Sequence, residues 1–431
     1  MIYPSIEAAS PEAIKPFQEE KLRTLMGYLD AHSTFYQKRL KGAGMKASEI
    51  RTLEDLRKLP VTTKDDLHRY NDEFICVPRE KIVDYITTSG TLGDPVTFTM
   101  TQQDLDRLAY NEYISFLCAD GSPSDIYQLM VTLDRRFMAG LAYFLGLKKM
   151  GAGVIRVGNG IPELQWDTIQ RFNPNWVVVV PSFLLKLIEY AEAHGIDYKN
   201  SSVKNAMCIG EALRTPDFEY NTLAQRIREK WDIKLYSTYA STEMGAAFTE
   251  CGAGRGGHQH PDLLITEFLD ENQQPVPEGE PGELVITTLG VEGMPLLRFA
   301  TGDVVEHHNG LCSCGRNTVR LGPVIGRKKE MIKFKGTTLY PPALYDILNE
   351  VEQIENYVVE VSTNAIGTDD ILIKAGVKGE PTEKLEKEIK DHFRAKLRVA
   401  PSLQFMTIAE INQIKFPETK RKPVLFIDKR D

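Results

Sequence analysis

The chain has 431 residues, of which 42% are hydrophobic and 26% charged, and its formal net charge is -8. This composition is typical of a globular protein with a large domain and a smaller one, and the acidic balance argues against a general nucleic-acid binder. There is no apolar run long enough to span a membrane and no basic and apolar leader at the N-terminus, so we expect a cytoplasmic protein without a membrane partner.

The first elements are predicted to be helical. Apolar residues at helical spacing, from Leu22 to Tyr36, predict a helix over residues 12–41. Further along, Thr62 or Thr63 is expected to cap a short helix whose first turn carries acidic residues.

Residues 87–95, T-T-S-G-T-L-G-D-P, form a stretch rich in hydroxyls and glycines between two apolar segments. Gly90 and Gly93 can adopt positive φ and turn backbone N–H groups inward, so the stretch is predicted to cradle phosphates. An ordinary hairpin turn is the alternative, because turns use the same residue types. The stretch is not a Walker loop, and it leads into a predicted strand at residues 96–99.

Strands and helices are predicted to alternate after this loop. A helix over residues 102–119 precedes the alternation, and residues 175–180 are the clearest buried strand. Short β-branched runs separated by helices predict parallel strands with right-handed crossovers. The alternating segments are 126–132, 141–150, 153–157, 164–172, 176–180, 183–194, 205–209, 217–231 and 234–236.

Two further loops contain candidate ligand-binding residues. The run Y-S-T-Y-A-S-T-E at residues 236–243 follows a predicted strand, at the sheet edge where α/β proteins bind ligands. Tyr239 offers a flat face for a purine, Thr242 a hydroxyl for a phosphate and Glu243 a hard oxygen for Mg²⁺. A surface loop with a structural tyrosine is the alternative. Asp303 follows a glycine turn and is suited to bind the two hydroxyls of a ribose.

The last hundred residues are predicted to be a separate small α+β unit. Residues 326–336 are basic and bracketed by glycines, a pattern that is also common on a solvated face. We place the boundary near Arg327, giving an N-terminal domain of residues 1–326 and a C-terminal domain of residues 327–431.

The order of these motifs resembles the adenylate-forming superfamily of acyl-CoA ligases, adenylation domains and luciferases. The motifs are T-S-G-T-x-G-x-P, Y-x-S-T-E, R-F-x-T-G-D, G-R-x-K-E-x-I-K and a late lysine. The chain is most similar to the phenylacetate-CoA ligase branch, on the additional strength of S-T-F-Y at 33–36 and L-E-D-L-R-K-L-P-V-T-T-K-D-D-L at 53–67. The resemblance runs from about residue 20 to the end. It implies an α/β fold, in which a large N-terminal domain has mixed and parallel sheets with helices and a small C-terminal α+β domain is mobile.

The resemblance also implies roles for individual residues. The ATP phosphates would be held by Thr88, Ser89, Gly90, Thr91 and Gly93. Around the nucleotide base would lie Gly210, Glu211, Ala212, Tyr239, Ala240 and Ser241. Thr242 would contact the α-phosphate, Glu243 would hold Mg²⁺, and Asp303 would bind the ribose with Arg327 close by. Lys329 falls at the hinge, Lys420 matches the late catalytic lysine, and Lys335 and Gly336 would face coenzyme A.

The sequence departs from the wider superfamily at several positions. Leu92 stands where a second hydroxyl is usual, Val96 where many members have lysine, and Ala240 where glycine is usual. Loss of the loop lysine is typical of the branch. Thr419 replaces a glycine, and Lys422 lies near Lys420, which leaves a rival for the late lysine.

Cys251, His258, Cys312 and Cys314 form a separate group of metal-ligand residues, with a Cys-x-Cys spacing. Thiolates and an imidazole suit tetrahedral Zn²⁺, and four protein ligands would make the ion structural rather than catalytic. His260 is a rival ligand, and free cysteines in loops are the alternative.

The acyl pocket is the least defined part of the prediction. By resemblance, Phe137, Ala139, Gly140 and Ala240 would line a slot of aromatic size, although these residues are equally good core formers. Arg135 and Arg136 would meet either a second carboxylate or the phosphates of the coenzyme.

The predicted function is therefore an ATP-dependent acid-CoA ligase. It would convert a carboxylic acid, aryl and phenylacetate-like, to an acyl-adenylate with release of pyrophosphate, and then transfer the acyl group to coenzyme A. Alternatives are an enzyme of the same fold with another acceptor, including cofactor-adenylating types, and a regulatory nucleotide-binding protein without turnover. The branch also suggests a homodimer.

Overall fold

The computed structural model describes residues 4–88, 96–335, 337–364, 369–417 and 423–430. The chain divides into two compact units. The larger runs from the N-terminal end to Thr301 and includes Val305–Pro323, and the smaller comprises Gly302–Val304 and the chain from Val324 onward.

The larger unit begins with helices α1 (Pro11–His32), α2 (Thr34–Gly42), α3 (Leu53–Leu56) and α4 (Lys64–Arg69). The single helix predicted over residues 12–41 is therefore two helices. The break falls at Ser33, whose hydroxyl accepts a hydrogen bond of 3.3 Å from the N–H of Tyr36 and caps α2. Thr63 is the cap of α4, in a capping box with Asp66, as the sequence indicated for this pair of threonines.

A two-stranded hairpin follows, formed by β1 (Ile82–Thr87) and β2 (Thr97–Thr101), which pair antiparallel. Helix α5 (Gln102–Cys118) starts directly at the end of β2. Thr101 caps α5, and Asp104 completes the capping box. The hairpin and the first turn of α5 are thus built as one continuous element.

The predicted alternation of strands and helices is confirmed. The strands are β3 (Ile126–Leu129), β4 (Gly153–Arg156), β5 (Trp176–Val179), β6 (Asn205–Ile209) and β7 (Lys234–Ser241). The helices are α6 (Met138–Met150), α7 (Pro162–Phe172), α8 (Pro181–His194) and α9 (Thr222–Lys230). These five strands pair in parallel in the order β4-β3-β5-β6-β7.

Helix α9 begins at Thr222 rather than at residue 217 as predicted. Asn221 caps the helix by accepting a hydrogen bond of 3.0 Å from the N–H of Ala224. The residues before it form a turn closed by a bridge between Arg214 and Tyr220, and the Arg214 guanidinium lies 4.0 Å from the Tyr220 ring centroid.

Beyond β7 the sheet continues with a strand that pairs antiparallel to it, followed by further strands. They are β8 (Ala246–Glu250), β9 (Gly257–His258), β10 (Leu264–Leu269), β11 (Gly282–Thr288), β12 (Phe299–His308) and β13 (Arg320–Arg327). Among the described residues the sheet has eleven strands in the order β10-β11-β12-β13-β9-β8-β7-β6-β5-β3-β4. The predicted mixed α/β architecture is confirmed.

Alternate residues of β5 face two different cores. Val177 and Val179 pack in a cluster with Trp166 and Trp231 from the α7 and α9 regions. Trp176 and Val178 pack in the other with α5 and α6. Because both faces of β5 are buried, its sequence is an uninterrupted apolar run. The packing on both faces holds the parallel strands, and thereby the loops at their carboxyl ends, in place.

In its described part, the smaller unit has two further sheets and three α-helices. Its elements are β14 (Ile332–Phe334), β15 (Thr337–Leu339), α10 (Pro341–Glu350), β16 (Ile354–Thr363), β17 (Asp369–Val377), α11 (Glu383–Leu397), β18 (Ser402–Met406), α12 (Ile408–Lys415) and β19 (Phe426–Asp428). Four strands pair in the order β18-β17-β16-β19 over a core that includes Val359, Ile373 and Phe393. None of the helices in the described chain has the length and apolar character needed to cross a membrane.

Candidate functional site

A pocket in the larger unit opens beside the turn between β7 and β8. Thr242 and Glu243 lie on its wall, both partly exposed. The base of the β1–β2 hairpin, the first turns of α5 and α6 and residues 291–294 supply the rest of the lining, which includes the methionines Met100, Met138, Met244 and Met294. The pocket therefore joins the predicted phosphate and magnesium residues to an apolar surface.

Arg107 holds the turn of residues 242–245 in place. Its guanidinium donates to the carbonyl oxygens of Leu289 at 2.7 Å, Gly245 at 2.8 Å and Leu263 at 2.8 Å. The side chain is buried, and burial lowers the pKa of Arg107 to about 10. Three segments distant in sequence are thus tied to one turn of α5.

Asp104, one helical turn before Arg107, fixes the opposite wall. Its carboxylate accepts hydrogen bonds from the N–H groups of Glu292 at 2.7 Å and Gly293 at 2.9 Å, in addition to those of its capping box. The sequence did not reveal the roles of Asp104 and Arg107, because their neighbours along the chain are those of any capping aspartate and any arginine in a helix.

Lys64 lies next to the predicted magnesium ligand. Its Nζ is 3.8 Å from Oε1 of Glu243, and the two side chains are 31% and 13% exposed. The lysine belongs to the T-T-K-D-D run of residues 62–66, which supported the family resemblance, but this motif alone did not indicate a role for it.

Thr88 closes the neck of the predicted phosphate loop. Its N–H donates to the carbonyl of Val96 at 3.0 Å, and its hydroxyl accepts from the N–H of Val96 at 3.0 Å. Ser89, Gly90, Thr91 and Gly93 lie outside the described residues, so their role as phosphate ligands stays a prediction.

The predicted base-binding residues lie at the ends of β6 and β7. Gly210 has φ of +76°, and Tyr239 is half-buried, with its ring centroid 6.0 Å from that of Phe248. Glu211 accepts hydrogen bonds from the N–H and hydroxyl of Ser182 at 2.8 and 2.9 Å, at the start of α8. Ala212, Ala240 and Ser241 flank these positions, and Ala240 is exposed.

Of the four residues predicted to form the acyl slot, Phe137, Ala139 and Gly140 flank Met138 at the start of α6, whereas Ala240 lies on β7. Phe137 precedes the helix, and Ala139 packs against the core on that face of the sheet. A β-carbon at Gly140 would collide with the carbonyl oxygen of Thr132, so this glycine permits close helix packing. Met138 is the member of this segment that lines the pocket beside Thr242.

The smaller unit brings Asp303 and Arg327 together, with 3.5 Å between Oδ1 and Nε. Lys329 follows β13, and its carbonyl accepts a hydrogen bond of 3.2 Å from Arg430. Arg430 also donates to the carbonyl of Met331 at 2.6 Å, and it pairs with Asp428 at 2.7 Å. The residues immediately after β13 are therefore fixed to the segment that follows β19.

Lys335, which is predicted to face coenzyme A, directly follows β14. Lys335 is exposed, with its Nζ 4.8 Å from the Phe334 ring centroid. Gly336 and Lys420 lie outside the described residues. Their roles stay predictions.

The four predicted zinc ligands converge in the larger unit. Donor atoms of Cys251, His258, Cys312 and Cys314 all lie within 4.8 Å of one another, and the sulfurs of Cys251 and Cys312 are 3.7 Å apart. Hydrogen bonding with Cys251, and then with His258, lowers the pKa of Cys314. In this cluster the histidine is His258.

His260 belongs to a neighbouring buried network. Its Nδ1 lies 2.6 Å from Glu7, and its Nε2 lies 3.3 Å from the hydroxyl of Ser115. Arg316 joins the two groups, since it donates to Glu7 at 2.7 Å and to the sulfur of Cys314 at 3.6 Å. The pKa of Glu7 is lowered because His260 and Arg316 outweigh the effect of burial.

Comparisons with known proteins agree with this arrangement. The family model described as AMP-binding enzyme matches residues 15–293. The phenylacetate-coenzyme A ligase of Thermus thermophilus is 31% identical over 395 residues, which cover 90% of this chain and 86% of that protein. The phenylacetate-coenzyme A ligase of Escherichia coli is 28% identical, covering 86% and 84% of the two chains.

A solved structure, 2-hydroxyisobutyryl-CoA ligase in complex with 2-HIB-AMP, superposes with a TM-score of 0.86 at 22% identity, covering 100% of this chain and 93% of that one. This likeness concerns the fold. Because the family model matches well over half of the chain, the protein belongs to the AMP-binding enzyme family.

Proposed function

We propose that the protein is an ATP-dependent acid-CoA ligase that first forms an acyl-adenylate and then a thioester of coenzyme A. The observation that carries the proposal is the pocket where Thr242 and Glu243 meet the base of the β1–β2 hairpin. The phenylacetate-coenzyme A ligases that align with most of this chain support coenzyme A as the acceptor and an aryl acid as the substrate class.

In the first step a carboxylate oxygen attacks the α-phosphorus of ATP, and pyrophosphate leaves. Two anions must approach each other, so the site has to supply cations and hydrogen-bond donors. Thr242 would donate its hydroxyl to the α-phosphate, and Glu243 would hold Mg²⁺. Magnesium, when bound, would neutralise phosphate charge. Met138 and Met244 line the same pocket and would give an acyl group an apolar surface next to these residues.

In the second step the thiol of coenzyme A attacks the acyl carbon, and AMP leaves. We propose that the small domain swings about Lys329 between the two steps, as in hinge motions of other enzymes. Lys420 would serve the first step, and Lys335 with Gly336 the second, on the basis of their motifs. The Asp303–Arg327 pair would bind the ribose.

The cysteine and histidine cluster fits a structural zinc ion. Zinc–sulfur bonds of about 2.3 Å in a tetrahedron place two sulfurs about 3.8 Å apart, close to the 3.7 Å between Cys251 and Cys312. Nδ1 of His258 is 3.0 Å from the hydroxyl of Thr318, which leaves Nε2 toward the sulfurs. Four protein ligands leave no position for a substrate, so zinc would stabilise the fold.

The test is to measure pyrophosphate release from MgATP across aryl, alkyl and dicarboxylic acids, with and without coenzyme A. We expect release with an aryl acid, and its thioester when coenzyme A is added. Glu243→Gln should abolish release while AMP still binds. Release without a thioester would favour another acceptor, and no release with any acid, despite ATP binding, would contradict the proposal.

A further inference from the structure

Lys64 is the cation that stands beside Glu243. Its Nζ is 3.8 Å from the Glu243 carboxylate, which is too long for a tight hydrogen bond but within reach of an ion pair. The lysine is also about a third exposed, so its ammonium group can change partner without breaking a buried network.

The backbone that carries Lys64 is firmly anchored. Thr62 is buried, its hydroxyl donates to the carbonyl of Leu297 at 2.7 Å, and its N–H donates to the carbonyl of Arg298 at 2.7 Å. Thr63 then caps α4 in a capping box. Lys64 is therefore a flexible side chain on a rigid support.

The same segment also contacts the strand that follows the predicted phosphate loop. The side-chain amide of Asn71, just after α4, donates to the carbonyl of Thr97 at 3.0 Å. Thr97 is the first residue of β2 and pairs with Thr87 at the end of β1. The segment that carries Lys64 therefore contacts both Glu243 and the end of the hairpin next to the predicted phosphate loop.

The phosphates of a nucleotide bound beside Glu243 would need cations to balance their negative charge. Val96, the first described residue after the predicted phosphate loop, is apolar and supplies no such charge. If Glu243 holds a divalent cation, the Lys64 ammonium group experiences repulsion from it unless an anion lies between them. The phosphates of ATP supply such an anion.

We infer that Lys64 binds the β- and γ-phosphates of ATP and stabilises the departing pyrophosphate. This inference rests on the proposed function for the adenylation step. The acid oxygen forms a bond to the α-phosphorus, and the bond between this phosphorus and the bridging oxygen to the β-phosphorus breaks. Its electron pair goes to pyrophosphate. Lys64 keeps its proton and stabilises the new charge.

Binding measurements separate this role from a structural one, because AMP lacks the β- and γ-phosphates. Lys64→Met should weaken binding of MgATP and of magnesium pyrophosphate by about 10- to 100-fold, the range for one charge-assisted hydrogen bond. Binding of AMP should stay within about twofold of wild type. Lys64→Arg should recover part of the loss. Thioester formation from supplied acyl-adenylate should be unchanged.

Lys58→Met is the matched control, since Lys58 is an exposed lysine six residues earlier that pairs with Asp55 at 2.8 Å. It should bind all three ligands as wild type does. Equal loss of AMP and MgATP binding in Lys64→Met, or no loss of either, would overturn the inference. If wild type binds MgATP but makes no thioester with any acid, the ligase proposal fails while the comparison of AMP with pyrophosphate still tests Lys64.

Discussion

Replacing Arg107 with methionine should destabilise the larger unit and loosen the turn that carries Glu243. The guanidinium donates three hydrogen bonds of 2.7 to 2.8 Å to the carbonyl oxygens of Gly245, Leu263 and Leu289. The carbonyl of Leu263 also accepts a hydrogen bond of 2.8 Å from the N–H of Leu289, so the substitution removes the donor of two carbonyls, those of Gly245 and Leu289, at a cost of about 1–3 kcal/mol each. Removing a buried cation recovers part of this cost, so we expect a net loss of about 2–4 kcal/mol.

The unfolding of the larger unit can be followed alone, because all three tryptophans of the chain, Trp166, Trp176 and Trp231, belong to it. Tryptophan fluorescence in a urea titration therefore reports this unit even if the smaller one unfolds separately. Arg171→Met, which removes an exposed arginine paired with Asp167, is the control and should change the free energy of unfolding by less than about 0.5 kcal/mol.

Arg107→Lys keeps the charge but cannot span the three acceptors, so we expect a smaller loss, about 1–3 kcal/mol. Both variants should raise KM for MgATP, because the carbonyl of Gly245 loses its anchor. An Arg107→Met protein that unfolds within about 1 kcal/mol of wild type would contradict this role, since water or a rearranged backbone would then satisfy the carbonyls of Gly245 and Leu289.

Three other predictions follow from separate parts of the molecule. Cys314→Ser should lower bound zinc, measured by metal analysis of protein purified without chelator, and lower the melting temperature; less than half an equivalent of zinc in wild type would contradict the site. Arg430→Ala should slow thioester formation more than adenylation, because the carbonyls of Lys329 and Met331 lose their anchor; equal slowing of the two steps would contradict this role. Burial raises the pKa of Glu112 to about 8 from 4.5, so the folded state holds a proton that the unfolded state releases. Stability should then fall by about 1.4 kcal/mol per pH unit between those two values. Glu112→Gln should remove the fall, and a slope unchanged in that variant would refute it.

The sequence predicted those parts of the fold that local pattern determines. The helix cap at Thr63 and the uninterrupted apolar strand β5 follow from residue types at short spacing, and both agree with the structure. The start of α9 was misplaced, because the stacking of Arg214 on Tyr220 closes a turn where helical propensity alone predicted helix. That stacking depends on the folded turn, so propensity alone does not reveal it.

The candidate site likewise contains residues that the sequence predicted and residues that it did not. The cysteines of the metal cluster could be grouped from sequence because thiol and imidazole ligands are rare and specific. The role of Arg107 could not, since its three acceptors lie 138, 156 and 182 residues away along the chain. A charged residue in a helix has the same local signature whether it faces solvent or three buried carbonyls.

Lys64 and Arg107 are two cations that contact the turn of residues 242–245, and they differ in how deeply they are buried. Each stands shortly after a threonine that caps a helix in a T-x-x-D capping box, so the backbone presents both side chains in a fixed direction. Arg107 is buried and its hydrogen bonds go to backbone carbonyls, so a ligand could recruit it only by breaking the turn it supports. Lys64 is partly exposed and its contact with Glu243 is long, so exchanging the carboxylate for a phosphate costs little. Arg107, the more deeply buried cation, is therefore the one that stabilises the turn. Lys64, whose contact with Glu243 is weaker, is the one suited to contact substrate.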